Sequence, residues 1–328
     1  MNITYLFGNG FDLQQHLKTR YVDFMKWYRK KQPNDFFSRK CTEDNESLWL
    51  DFELYMGRAT KHLHDKIEMN DYLNSVENIK MGLKEYMREQ KNSVRYKYDN
   101  ISKTFKDSIR SFNKGKFLFP VDEVLRRYNF PNGEHKINFI EFNYTGIATR
   151  LFYKVKRKNK YFYKKEGKNK VKYKLCDSIQ VHGNTRRHVV FGVDNETQIS
   201  NRNIDRHLRN CIIKQEMLDE LYPSRRRKSM QKINDSDIIV IFGCSLGGTD
   251  ATYWNEIKNW LIDTRKKLIV FFHRNSIVTS NSEEIAQCDI MQCRELLEDV
   301  FSANNEQVKF YINSSIFDFS KKAKYTQL

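Results

Sequence analysis

The chain has no C-x-x-C pair among its six cysteines, Cys41, Cys176, Cys211, Cys244, Cys288 and Cys293. That absence excludes a structural zinc ribbon. At 328 residues the core should suffice without an oxidised scaffold, so reduced thiols in a cytoplasmic protein are expected. No apolar run approaches the ~20 residues that span a bilayer. No basic n-region followed by an apolar stretch opens the chain, so neither a secretory signal nor a membrane partner is expected. There is no internal repeat. Nor is there a carboxylate cluster spaced for two metal ions, so no metal ligands are assigned.

What the chain does have is apolar content for a core, 39% hydrophobic with 14% aromatic residues, and a formal charge of +17. Much of that excess is local. Residues 153–175 carry eleven Lys or Arg against one glutamate, with Tyr161, Phe162, Tyr163 and Tyr173 interleaved. This segment is expected to form a protruding β-hairpin turning at Gly167. A second cluster, Arg225 to Lys228, follows Pro223 and reads as a loop.

Residues 2–7 (NITYLF) read as a buried strand running into Gly8-Asn9-Gly10, with a helix from about Asp12 and another over 21–31, broken at Gln32-Pro33-Asn34. Residues 48–112 are helical in spacing. One apolar stripe runs through Trp49, Phe52, Tyr55, Met56 and Ala59, and another through Tyr72, Val76, Ile79, Leu83 and Met87. They predict a helical insertion over 45–115. Pro120 should open a short helix. Further strands are expected at 137–142, 178–181, 189–191, 237–242, 267–272 and 308–312, with helices at 249–265 and 282–303. The alternation predicts one α/β domain over 1–328, Rossmann-like and doubly wound around a mostly parallel sheet.

Four motifs end predicted strands, where open parallel sheets bind ligands. In Gly8-Asn9-Gly10-Phe11-Asp12 the glycines allow close backbone approach and the helix start favours an anion. Leu13 at the third glycine position departs from the dinucleotide fingerprint. Asp12 reads either as a helix cap or as a contact to a ligand hydroxyl. Phe142-Asn143-Tyr144-Thr145 carries turn-forming polar residues. Val181-His182-Gly183-Asn184 offers a histidine suited to base chemistry near neutral pH. In Gly243-Cys244-Ser245-Leu246-Gly247-Gly248-Thr249-Asp250, backbone amides and Ser245 suit phosphate or ribose. The same stretch fits Gly-x-Ser-x-Gly, but a hydrolase triad needs a late histidine and only His273 follows.

In this order the motifs resemble the AbiH family of bacterial phage-abortive-infection proteins. The resemblance rests on LFGNGFDLQQHLKTRYVDF, WLDFE (49–53), EFNYTG, QVHGN, FGVD (191–194) and IFGCSLGGTD, spread over most of the chain. At His16 the family usually has glycine. The family is in turn similar to sirtuin-like NAD-cleaving defence enzymes. That likeness implies a nucleotide ligand, NAD as substrate and no required cofactor. It implies Asn143 and His182 as catalytic pair, and Gly8, Asn9, Gly10, Asp12, Thr145, Gly243, Ser245 and Asp250 as nucleotide-binding residues. The four-cysteine zinc module of sirtuin deacylases is missing, which argues against deacylation. Two other readings stand beside cleavage: a nucleotide sensor without turnover, and a protein directed at nucleic acid or a phage component through the basic hairpin. A homo-oligomeric assembly is left open.

Overall fold

Strand-forming runs and amphipathic helices alternate along the chain, and a computed structural model shows how they assemble. It describes residues 1–40, 51–96, 98–111, 133–166, 169–273, 283–302 and 307–325. The strands are β1 (Asn2–Phe7), β2 (Val94–Tyr96), β3 (Glu134–Glu141), β4 (Tyr161–Glu166), β5 (Asn169–Gln180), β6 (Ile238–Phe242), β7 (Lys267–Phe272), β8 (Val308–Ile312) and β9 (Ala323–Tyr325). Seven form one sheet in the order β4-β5-β3-β1-β6-β7-β8, and β2 pairs with β9. Only β4 runs antiparallel within the large sheet. The chain adds β3 and β5 on one side of β1 and β6, β7 and β8 on the other. The winding therefore reverses at β1, and the carboxyl ends of β1, β3 and β6 open the crevice that such a reversal creates.

The helices are α1 (Asn9–Gln14), α2 (Tyr21–Lys31), α3 (Phe36–Lys40), α4 (Phe52–Ala59), α5 (Lys66–Ser93), α6 (Tyr98–Arg110), α7 (Ile147–Lys158), α8 (Arg206–Ile212), α9 (Lys214–Leu221), α10 (Pro223–Asn234), α11 (Ala251–Trp260) and α12 (Glu283–Phe301). Strand alternation sends Ile3, Tyr5 and Phe7 to one face, where they pack with Ile101 and Phe105 of α6 and Leu151 and Phe152 of α7. Leu6, Ile140, Ile239 and Ile241 face the other side, against Leu218 of α9, Ile233 of α10 and Ile257 of α11. A third cluster joins the second predicted stripe, Tyr72, Val76, Ile79, Leu83 and Met87, to Phe24, Phe52, Phe191 and Ile212. Each large side chain so buried contributes about 1.5–3 kcal/mol. Asp65 caps α5 by accepting hydrogen bonds from the Ile67 and Glu68 amides at 2.8 Å each.

Several expectations are corrected. The first helix starts at Asn9 rather than about Asp12 and is capped by Gly8. The short strand expected at 178–181 is the end of the twelve-residue β5. No strand forms at 189–191; Val189 makes an isolated bridge with Gly183 instead. Arg225 to Lys228 lie in α10, because Pro223 suits the first turn of a helix. Lys154 to Lys158 belong to α7, and the β4–β5 pair does not protrude but extends the main sheet as its edge. Trp49, Gly167 and the helix expected from Pro120 lie outside the described residues.

His16 sits at φ +58°, in the left-handed region that favours glycine. It ends α1 in a Schellman arrangement: the Leu17 amide donates to the Asp12 carbonyl at 3.2 Å and the His16 amide to the Leu13 carbonyl at 2.9 Å. Restoring glycine relieves the side chain's clash with its own backbone. His16→Gly is expected to raise stability by roughly 1 kcal/mol in urea unfolding. A loss of that size would show that the imidazole matters more to the fold than the backbone strain.

Candidate functional site

The loop after β1 and the loop after β6 touch backbone to backbone. A Cβ at Gly8 would lie 2.6 Å from the Gly243 carbonyl oxygen, and one at Gly10 2.6 Å from the Gly243 Cα. Gly243 itself has φ +67°. The Gly10 amide donates to the Gly243 carbonyl at 2.8 Å. Three of the predicted nucleotide-contacting glycines thus let two loops approach each other. Asn9 and Ser245 are exposed where the loops meet. Asn9 also ties its loop down, donating to the Thr19 carbonyl at 2.9 Å and accepting from the Thr19 hydroxyl at 2.6 Å. Burial and the nearby Asp250 push the Cys244 thiol up, away from the reactive thiolate form.

Beneath this junction lies Asp12, fully buried. Its Oδ2 accepts a hydrogen bond from the Thr145 hydroxyl at 2.7 Å, while Oδ1 has no partner. Asn143 lies close enough for its amide to favour the charged carboxylate, yet its Nδ2 makes no hydrogen bond of ordinary geometry. Glu141, also buried, accepts from the Ala148 and Thr149 amides at 3.1 and 2.9 Å, capping α7. Burial, then the nearby Glu141, push the Asp12 carboxyl from 3.8 up to about 8, with Thr145 pulling the other way.

The folded chain keeps a proton on Asp12 that the unfolded chain releases above pH 3.8. The associated stability is present below that pH and declines as pH rises towards about 8. Asp12→Asn, which cannot ionise, should lack this decline. In urea unfolding between pH 5 and 8 its stability should gain on the native chain's as pH rises. Parallel curves would place the Asp12 proton elsewhere.

The second polar group is an ion network drawn from five segments. The Lys214 ammonium, at the start of α9, donates to Glu53 Oε2 at 2.6 Å, to the Thr249 carbonyl at 2.9 Å and to Asp250 Oδ1 at 3.0 Å. The other Glu53 oxygen accepts from the Tyr144 hydroxyl at 3.1 Å. His182 Nε2 lies 3.1 Å from Asp250 Oδ1, at ion-pair distance but out of line for a hydrogen bond. Its ring is held between Phe142, centroids 5.4 Å apart, and Tyr144, 6.0 Å apart. Burial opposes the charge on Lys214, but Asp250 and Glu53 outweigh it and hold the ammonium above its ordinary value. Burial likewise opposes ionisation of Asp250, but Lys214 and His182 hold its carboxyl well below the usual range. Glu53 is raised by burial, with Lys214 pulling it back. Beside them Asp194 accepts from the Thr252 hydroxyl at 2.8 Å and the Gln215 amide at 2.8 Å.

Residues 4–273 match the family model described as Bacteriophage abortive infection AbiH. The chain belongs to the AbiH family. No curated protein matches it. The stretches WLDFE, EFNYTG, QVHGN, FGVD and IFGCSLGGTD supply Glu53, Tyr144, His182, Asp194 and Asp250, and these meet around Lys214, which stands in none of them. Nothing local marks Lys214 in the sequence; its partner Glu53 lies 161 positions away.

In this AbiH-family chain the basic segment has its own local chemistry. Glu134 pairs with Lys172 at 2.8 Å and Lys174 at 3.7 Å. The Lys172 ammonium also sits 4.2 Å from the Tyr161 ring centre. The edge strand β4 carries Lys164 and Lys165, and lysines on an edge strand deter pairing with another sheet. Among the described residues no three His, Cys, Asp or Glu side chains are grouped to hold a metal ion. No helix among them is long and apolar enough to cross a membrane.

Proposed function

We propose that this AbiH-family protein acts in abortive infection of bacteriophage by binding NAD at the β1/β3/β6 crevice and cleaving its nicotinamide–ribose bond. The proposal takes the sheet as Rossmann-like and sirtuin-like. One observation carries it: polar residues from widely separated segments converge where the winding of a parallel sheet reverses, the position at which α/β sheets bind nucleotides. Cleavage sends the bonding pair to the nicotinamide nitrogen and leaves an oxocarbenium-like ribose, which water captures. The unpaired Asn143 amide suits placement of the water or the departing carboxamide. His182 accepts the proton released, and Asp250 beside its Nε2 stabilises the imidazolium that results. Asp250, whose side chain is 22% exposed while that of His182 is 3% exposed, marks the side from which a ligand enters.

The test is to incubate the purified chain with NAD, NADP and ATP separately, with and without extract from phage-infected cells, and to separate the products. Nicotinamide and ADP-ribose from NAD are expected. Intact NAD under both conditions, with saturable nucleotide binding, would favour a sensor without turnover.

A further inference from the structure

A cavity of about 500 Å³ lies beside the carboxyl ends of β3 and β5, where Gly146 and Gln180 line it. Three elements wall it: α5 through Arg88, Lys91 and Asn92, the start of α7 through Thr149 and Arg150, and the segment after β5 through Asn184 to Arg186. Its size suits a small ligand, but its lining does not suit a typical apolar one. No carboxylate and no aromatic ring lines it, whereas four cations do. Among the described residues none of Arg88, Lys91, Arg150 and Arg186 forms an ion pair.

The fold holds this charge in place. The Arg88 guanidinium donates to the Thr185 carbonyl at 2.9 Å, locking α5 to the segment after β5. The Asn184 amide donates to Gln180 Oε1 at 3.1 Å, which leaves the Gln180 nitrogen buried beside Gly146 without an acceptor. A buried donor with no acceptor costs stability unless a ligand supplies one. Lys91 is half-buried: burial lowers its ammonium, the buried Glu141 and more weakly Asp12 offset part of that, and repulsion from Arg150 and Arg186 adds to it. An anion relieves all of these at once.

We infer that this cavity binds a small molecule carrying two or more linked phosphates, with Lys91, Arg150 and Arg186 as its charge partners. A single phosphate uses too few of the cations, and an unphosphorylated base finds no aromatic ring to stack on. Paired guanidinium and ammonium groups facing a pyrophosphate give charge-assisted hydrogen bonds, the strong class. The inference does not depend on NAD turnover.

Calorimetric titration of the full chain with inorganic pyrophosphate tests it, with orthophosphate, sulfate, ATP and a short single-stranded oligonucleotide as parallel arms. Saturable one-to-one binding of pyrophosphate is expected, weakened about tenfold or more by Lys91→Gln and by Arg150→Gln, as loss of a charge-assisted bond implies. Lys172→Gln on β5, outside the cavity lining, should leave it unchanged. Tighter binding of ATP than of pyrophosphate would support the site and identify a nucleotide as its natural source. Equal binding of orthophosphate, sulfate and pyrophosphate would mean an adventitious ion only and would overturn the inference. So would oligonucleotide binding without pyrophosphate binding, or equal weakening by Lys172→Gln. Circular dichroism of each variant separates lost binding from lost fold, and Arg186→Gln replaces any variant that fails to fold. NAD cleavage without pyrophosphate binding would sink this site and leave the proposed function standing.

Discussion

Replacing Lys214 with methionine is expected to cost about 3–5 kcal/mol of folding stability, the range for breaking a buried ion pair. The lysine side chain is 1% exposed and that of Glu53 5%. Removing the ammonium leaves Glu53 without its counter-charge, near Asp250, and strands the Thr249 carbonyl. Methionine keeps most of the volume, so the loss measures charge rather than a cavity. Without Lys214 to pull it back, Glu53 takes up a proton more readily in the folded state. The deficit should therefore be smallest at low pH and grow as pH rises. Adding Glu53→Gln should recover part of the loss. Urea unfolding of the native chain, both single variants and the double variant gives the coupling energy directly. A loss below about 1 kcal/mol for Lys214→Met would mean that the network is solvated and does not tie α4, α9 and the loop after β6 together.

The second large effect concerns activity. His182→Ala and Asn143→Ala should each lower NAD cleavage roughly 10²–10⁴-fold, the usual share of general acid–base and positioning steps. Both should also abolish protection against phage. A structural role predicts a different pattern. His182 packs between Phe142 and Tyr144, so truncation there alone could lower the melting temperature while preserving activity per folded molecule. Measuring turnover and thermal unfolding on the same preparations separates the two. Variants that melt like the native chain and cleave NAD at its rate would remove the assignment. If the native chain never cleaves NAD yet both substitutions cancel protection, the site is real and its substrate is another molecule.

Much of the fold was legible because its signals are local. NITYLF, KLIVFF and VKFYI are short apolar runs between turns, and they are β1, β7 and β8. The helical stripe from Tyr72 to Met87 repeats at helix spacing and is buried throughout. Where local signals compete, sequence pattern and structure part. The lysine-dense stretch 153–175 looks uniform, yet its first part continues α7 because Leu151, Phe152 and Val155 extend a buried face. The rest pairs into the sheet edge. The motif glycines show the same limit. A glycine needed for loop-to-loop contact and one needed for contact with a phosphate are identical in sequence. Only the nearness of Gly243 to Gly8 and Gly10 distinguishes the loop-to-loop use. Lys214 was invisible because a lone lysine between Ile213 and Gln215 has no pattern, and its partners come from α4 and the loop after β6. The basic cavity was equally hidden, since Arg88, Arg150 and Arg186 are ordinary surface arginines until three elements bring them together.

The most direct measurement is a crystal structure of the His182→Ala variant grown with saturating NAD. The nicotinamide riboside is expected at the carboxyl ends of β1 and β3, with the ribose against Asn143 and the emptied position of His182, and with Asp250 at the entrance. NAD bound away from those strand ends, or no bound NAD at saturation in a correctly folded variant, would contradict the proposed function.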